Sequence, residues 1–138
     1  MSEDARSLLR RFYEEVSAGN VGVIDELIAD DLIEHEEFPG IEPNKEGVKQ
    51  FFTMFRSAFP DLRLEAHEIL VDGDLVCARA TTSGTHDGEF MGLPPSGKRF
   101  EIHGFDMVRM RDGQVVEHWG VFDMMTMMQQ LGAIPAEA

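Results

Sequence analysis

Apolar residues recur at helical spacing through the first part of the chain. Leu8, Leu9, Phe12, Tyr13 and Val16 fall on one face, with Ser2 or Asp4 placed to cap that helix and Gly19-Asn20 to end it. Val23, Ile24, Leu27 and Ile28 make the face of a shorter second helix. The segment from Asp31 to Pro43 contains Pro39, Gly40 and Pro43 and reads mostly as loop. Asn44 can cap a third helix from Lys45 to Ala58, with Val48, Phe51, Phe52 and Phe55 on one side and Pro60 beyond its end.

The period then changes to two. Leu62, Leu64 and Ala66 alternate with polar residues, and Ile69, Leu70 and Val71 lead into the turn Asp72-Gly73. Leu75 to Thr85 is a β-rich run, and Gly92 to Gly97, with Pro94 and Pro95, is a loop. Phe100 to Met110 and Gln114 to Phe122 are two strands joined at Asp112-Gly113, a strong short-hairpin signal. A last helix runs from Met124 to Leu131 and ends at Gly132. Helices first and antiparallel strands afterwards make an α+β fold, since the links between strands are too short for repeated βαβ crossovers.

A two-residue turn at Asp112-Gly113 fixes a register. Arg111 then pairs with Gln114, Asp106 with Trp119 and Ile102 with Asp123. Asp106, Glu117, Trp119, Val121 and Asp123 share one face, and His103, Phe105, Met107, Arg109, His118 and Phe122 the other. Two carboxylates beside a tryptophan and aliphatic groups suit acid/base chemistry on an apolar ligand, if that face lines a cavity. The alternative leaves Asp106 and Glu117 solvated on a strand and makes Asp123 the cap of the last helix. One bulge would exchange the faces beyond it.

Composition narrows the partners. The chain has 138 residues, 43% of them hydrophobic, which is the size and character of one folded domain spanning residues 1–138. Lys+Arg number 12 against 26 Asp+Glu, a formal net charge of −14 spread along the chain. Such a surface repels phosphate, so nucleic acid and anionic membrane are excluded as partners. No run approaches the ~20 apolar residues of a membrane span. Met1-Ser2-Glu3-Asp4 is acidic and starts no signal peptide, so a cytoplasmic location is expected. The lone Cys77 forms no internal disulfide and belongs to no zinc pattern.

Three blocks carry a family resemblance: His35-Glu36-Glu37-Phe38-Pro39-Gly40; Gly84-Thr85-His86-Asp87-Gly88-Glu89-Phe90-Met91-Gly92-Leu93-Pro94-Pro95-Ser96-Gly97; and Glu117-His118-Trp119-Gly120-Val121-Phe122-Asp123 with Gln129-Gln130-Leu131-Gly132. In this order they resemble the SnoaL-like polyketide cyclases. The resemblance implies a nuclear transport factor 2-like cone, with N-terminal helices packed on a strongly curved antiparallel sheet and a deep pocket at one end. It implies an ester or polyketide cyclase, a lyase/isomerase that closes a ring by intramolecular aldol chemistry without metal or cofactor. It also places the acid/base on the aspartate after the tryptophan strand, which matches Asp123. On that reading Asp123 removes a proton α to a carbonyl of a small apolar substrate and returns it to the new alkoxide. Asp106 would reinforce the raised affinity of Asp123 for its proton, and Trp119 and Val121 would form an apolar wall.

Other residues bear on the same site. His35 stands where an apolar helix end meets the Pro/Gly loop, near the expected pocket mouth, and is a candidate substrate contact. Arg79, within a β run, needs solvent or a carboxylate such as Asp106 or Asp123. Those three together would suit water attack on an epoxide, as in limonene epoxide hydrolase. A binding domain without turnover is the second alternative. His35-Glu36-Glu37 has an H-x-E spacing, to which His67, His86, His103 and His118 could add ligands, but no two histidines are close in sequence and no H-x-H or H-E-x-x-H occurs, so no metal site is expected. Met124, Met125, Met127 and Met128 suit core packing, with a subunit surface second. Gly88 to Gly97 reads as a plain loop before a flap. A curved open sheet leaves a face to cover, so a homodimer is expected, through His103, Phe105, Met107 and Phe122.

Overall fold

The computed structural model describes residues 2–135, with side chains from residue 5 to 135. Helix α1 (Ser2–Ser17) carries the expected apolar face, with Leu9, Tyr13 and Val16 buried. The cap expected at Ser2 or Asp4 lies outside the described side chains. The chain leaves α1 through Gly19 at φ +95°, a left-handed turn that suits glycine. Helix α2 (Val23–Leu27) is one turn and a half, and buries Val23, Ile24 and Leu27. Helix α3 (Lys45–Ala58) starts as the sequence indicates, the Asn44 side chain accepting from the Gly47 N–H at 2.9 Å.

The sheet has five strands: β1 (Ile28–Glu34), β2 (Arg63–Asp72), β3 (Leu75–Thr85), β4 (Arg99–Arg111) and β5 (Gln114–Phe122), in the order β1-β5-β4-β3-β2. Strands β2 to β5 form the expected antiparallel meander. Strand β1 was not expected: Ile28 reads as helix and Asp31 to Glu34 as loop, yet the segment pairs parallel to β5 and makes the sheet mixed. Ile28, Ala29 and Leu32 are buried there while Asp30 and Asp31 face solvent. The loop-breaking Pro39, Gly40 and Pro43 act only past Glu34, so nothing prevents the preceding stretch from extending along a sheet edge.

The helices cover one face of this open, curved sheet. Phe55, Phe59, Phe90 and Phe100 are almost wholly buried and pack as a cluster of edge and stacked contacts. A second group, with Leu9, Ile24, Ile69, Val76 and Val108, joins α1 and α2 to the strands. Each such side chain contributes about 1.5–3 kcal/mol on burial. The segment from Gly88 to Gly97 is a tethered loop rather than a lid. Phe90 is its anchor in the core, and Ser96 bonds His86 Nδ1 at 2.9 Å. Leu70, Phe105 and Val121 are exposed on the outer face of the sheet. Among the described residues no helix is long and apolar enough to cross a membrane.

The β4–β5 register departs from the simple hairpin. Arg111 pairs with Gln114 and Met110 with Val115, but Arg109 then pairs with Glu117, so Val116 is an extra residue on β5. Beyond it Asp106 lies opposite Gly120, and Met107 opposite Trp119. The faces are therefore exchanged. Val108, Asp106, His118, Gly120 and Phe122 look inward toward the helices, and Glu117, Trp119 and Val121 look outward with Arg109, Met107 and Phe105. Phe122, expected on the outer face with His103, Phe105 and Met107, lines the interior instead.

Candidate active site

A pocket of about 150 Å³ lies between the inner face of the sheet and helices α1 and α3. Its walls are apolar: Leu9 and Phe12 from α1, Phe51 and Phe52 from α3, and Leu32 and Val108 from the sheet. The loop after β1 adds Phe38 and Ile41. Within this setting stand Tyr13, Glu34, Glu36, Asp106 and His118. A few polar groups converging in an apolar cleft are the usual form of a small-molecule site.

Four of these side chains, Tyr13, Asp106, His118 and Glu34, are held by bonds to one another. The buried Tyr13 O–H donates to Asp106 Oδ2 at 2.6 Å. His118 donates from Nε2 to Asp106 Oδ1 at 2.8 Å and from Nδ1 to Glu34 Oε2 at 2.5 Å. The Glu36 backbone N–H donates to the same Glu34 oxygen at 3.0 Å. Each ring nitrogen of His118 thus faces a carboxylate oxygen, the arrangement that an imidazolium satisfies by donating from both. Burial opposes that charge, but the hydrogen bonds and fields of Asp106 and Glu34 outweigh it and raise the His118 pKa to about 10. Burial raises the Tyr13 hydroxyl pKa far above its ordinary value, reinforced by the Asp106 charge, so Tyr13 stays a donor. Burial also pushes Glu36 up to about 7, helped by the Asp106 charge and opposed by His118. A carboxyl that exchanges its proton near neutral pH is suited to acid/base work.

Glu34, Glu36 and His118 each offer one ligand atom within 4.8 Å of the others, the one such group among the described residues. A cation held by Glu34 would have to displace the proton between His118 Nδ1 and that carboxylate. The remaining histidines are dispersed. His86 is buried beside Phe59, with Nε2 lacking a partner among the described residues. His67 and His103 both contact Thr81 on the outer face.

Of the six residues expected from the sequence to form the site (Asp106, Asp123, Trp119, Val121, His35 and Arg79), Asp106 alone lines this pocket. Asp123 is exposed and caps α4 (Met124–Gln130), accepting from the Thr126 N–H at 3.2 Å. Trp119 lies on the outer face, stacked on His35 at 5.0 Å with Arg109 5.9 Å above its ring. His35 bonds Glu117 at 2.7 Å on that same side. Val121 is 72% exposed. Arg79 pairs with Glu68 at 2.6 Å on the outer face, so Asp106, Asp123 and Arg79 are not assembled for epoxide opening. The extra residue Val116 explains the misplacement of Trp119 and Val121, and the adjacent apolar pair Val115-Val116 was its sign in the sequence. His118 follows from the same correction. Tyr13 reads from the sequence as part of the apolar face of α1, and Glu34 as part of a loop; Glu36 stands in the first of the three resemblance blocks, which was its one signal.

The family relation agrees with this pocket. A model of the SnoaL-like polyketide cyclases matches residues 7–131. The aklanonic acid methyl ester cyclase DnrD of Streptomyces peucetius is 31% identical over 134 residues, covering 91% of this chain and 88% of its own. The nogalonic acid methyl ester cyclase of Streptomyces nogalater is 30% identical, covering 85% and 91%. The crystal structure of IdmH from Streptomyces antibioticus superposes with a TM-score of 0.80 at 36% identity, over 92% of this chain and 97% of that one. On this evidence the chain belongs to the SnoaL-like polyketide cyclase family.

Proposed function

We propose that the protein closes a ring in a polyketide-derived carbonyl compound by intramolecular aldol addition, with Asp106 as the carboxylate that takes the α-proton. The observation that carries this reading is the placement of Asp106. It is the carboxylate that β4 points into an apolar pocket, with both oxygens fixed by Tyr13 and His118. Fixing both oxygens holds the base in one orientation, which is where enzymes gain over a freely rotating carboxylate. The aromatic walls suit a flat apolar substrate. The His118 imidazolium offsets the charge of Asp106 and Glu34, so the site tolerates a further negative centre as an enolate forms.

In the reaction the C–H pair becomes the enolate, the enolate carbon attacks a second carbonyl, and the resulting alkoxide takes a proton. Substrate and product are isomers, so the balance needs no oxidant and no cofactor. Two relatives are named for aklanonic and nogalonic acid methyl esters, which makes those compounds the substrates to try. Incubation should give a product of unchanged mass and altered absorbance. Asp106→Asn should lower kcat/KM by roughly 10²–10⁴-fold with the fold retained. A folded Asp106→Asn variant with the parental rate would overturn the assignment.

We further infer a cytoplasmic homodimer. The free Cys77 suits a reducing compartment, and a second copy on the outer face would cover Phe105, Val121 and Leu70. Light scattering at micromolar concentration should give twice the chain mass, and a monomer there would count against it.

A further inference from the structure

Glu36 is the pocket carboxyl that the scheme above leaves idle. It stands on the loop after β1, half-buried, and none of the influences on its ionisation is a hydrogen bond to its carboxyl. Across from it on β5 is Gly120. A Cβ at that position would overlap Glu36 Oε1 and would lie 3.0 Å from Asp106 Oδ1. The Glu36 carboxyl therefore occupies the volume that any larger residue at 120 would fill, and shares that gap with Asp106. The titratable groups around it are Glu34 from β1, Asp106 from β4, His118 from β5 and Tyr13 from α1, with Glu42 on the same loop also lining the pocket. The neighbouring walls from α3 are Phe51 and Phe52.

We propose that Glu36, seated in the gap left by Gly120, is the acid of the reaction and gives its proton to the alkoxide formed as the ring closes. This rests on the reading of Asp106 as the base. The C–H bond breaks toward Asp106, the new carbon–carbon bond forms, the carbonyl pair moves onto oxygen, and the Glu36 O–H bond breaks as the product O–H forms. Asp106 then holds a proton and Glu36 none. The proton passes across the Gly120 gap to Glu36 and restores the starting state, because both Asp106 oxygens are claimed by Tyr13 and His118. Burial and the Asp106 charge, which raise Glu36 to about 7, keep the acid form present at neutral pH.

Two variants and one titration test this, with aklanonic acid methyl ester as the substrate. The parent rate should fall above about pH 7, and Glu36→Gln should lower kcat/KM by roughly 10²–10⁴-fold and abolish that fall. Gly120→Ala should give a similar loss without unfolding. The atom it displaces is the end of a flexible side chain, and a second substitution at 36 should then cost little more. Carbon-13 NMR of the free protein should show the Glu36 carboxyl titrating near 7, and nearer its ordinary 4.5 in Gly120→Ala. A Glu36 titration in the ordinary carboxylate range would overturn the proposal whether or not this ester is turned over. So would a Glu36→Gln or Gly120→Ala variant that keeps the parental rate and alkaline fall while Asp106→Asn is inactive. Activity surviving in Asp106→Asn would instead overturn the underlying reading.

Discussion

Asp106 and Asp123 are two aspartates 17 positions apart on the same hairpin and its exit, and their surroundings assign them different work. Asp123 is exposed and satisfies the first turn of α4. Asn caps a helix about as well as Asp. Asp123→Asn should therefore leave both turnover and the urea midpoint close to the parent, in contrast to Asp106→Asn. A large loss of rate in a folded Asp123→Asn variant would return the acid/base to that residue. Tyr13 separates positioning from packing. Tyr13→Phe keeps the ring in the core but removes the donor to Asp106 Oδ2, a hydrogen bond to a charged group worth about 1.5–3 kcal/mol. Urea denaturation should show a loss of that order. Turnover should fall through kcat more than KM, since Tyr13 aligns the base and supplies little substrate contact surface.

Among the elements, the strands of the meander and helix α3 were legible from their apolar spacing and from the Asp-Gly turns and Asn44 cap that bound them. Leu75 to Thr85 and Gln114 to Phe122 appear with the bounds that alternation and the Asp-Gly turns indicate. The phase of β5 relative to β4 turned on one residue, whose local sign was the adjacent apolar pair Val115-Val116. A single extra residue, Val116, leaves the strand's bounds unchanged and reverses which side chains reach the pocket. Hence the elements were readable while most of the pocket lining was not: Asp106 lines the pocket, but Trp119 and Val121 turn to the outer face. Tyr13 and Glu36 reach the pocket only through tertiary packing of α1 and the loop after β1. The parallel edge strand β1 was missed for a related reason, since its partner lies about 85 residues away and leaves no local trace. Element joints also set how far substitution can go. At Gly47, in the first turn of α3, a Cβ would overlap the Glu42 carbonyl, which is backbone and cannot swing aside as the Glu36 carboxyl can. Gly47→Ala should destabilise the fold by about 1–3 kcal/mol, read as a lower urea midpoint at unchanged slope.

Over the whole molecule, folding brings Glu34 and Asp106 to opposite sides of one imidazole in a chain whose net charge is already −14. Burial alone would lower the His118 pKa, but the two carboxylates raise it to about 10 from an ordinary 6.5. The folded state thus binds the His118 proton more tightly than the unfolded chain does. Its contribution to stability is present in full below about pH 6.5 and is lost as pH rises through about 10. Glu36, raised by burial to about 7 from 4.5, acts with the same sign over its own lower window. Glu26, Glu68 and Glu117 are held low, by Arg11, Arg79 and His35 first, and act oppositely, losing their contribution as pH falls below their ordinary range. Those pairs are exposed and screened, so their weight is small. Stability should therefore be greatest in mildly acidic solution and decline by a few kcal/mol toward pH 10, and added salt should weaken that dependence little because the bridge is enclosed. Urea midpoints measured from about pH 6 to 10 should fall steadily in the parent. In His118→Gln they should start lower, since two carboxylates face each other without the cation, and then change less over the same range. A parent midpoint that stays level between those limits would mean that His118 is not the charged bridge between Glu34 and Asp106.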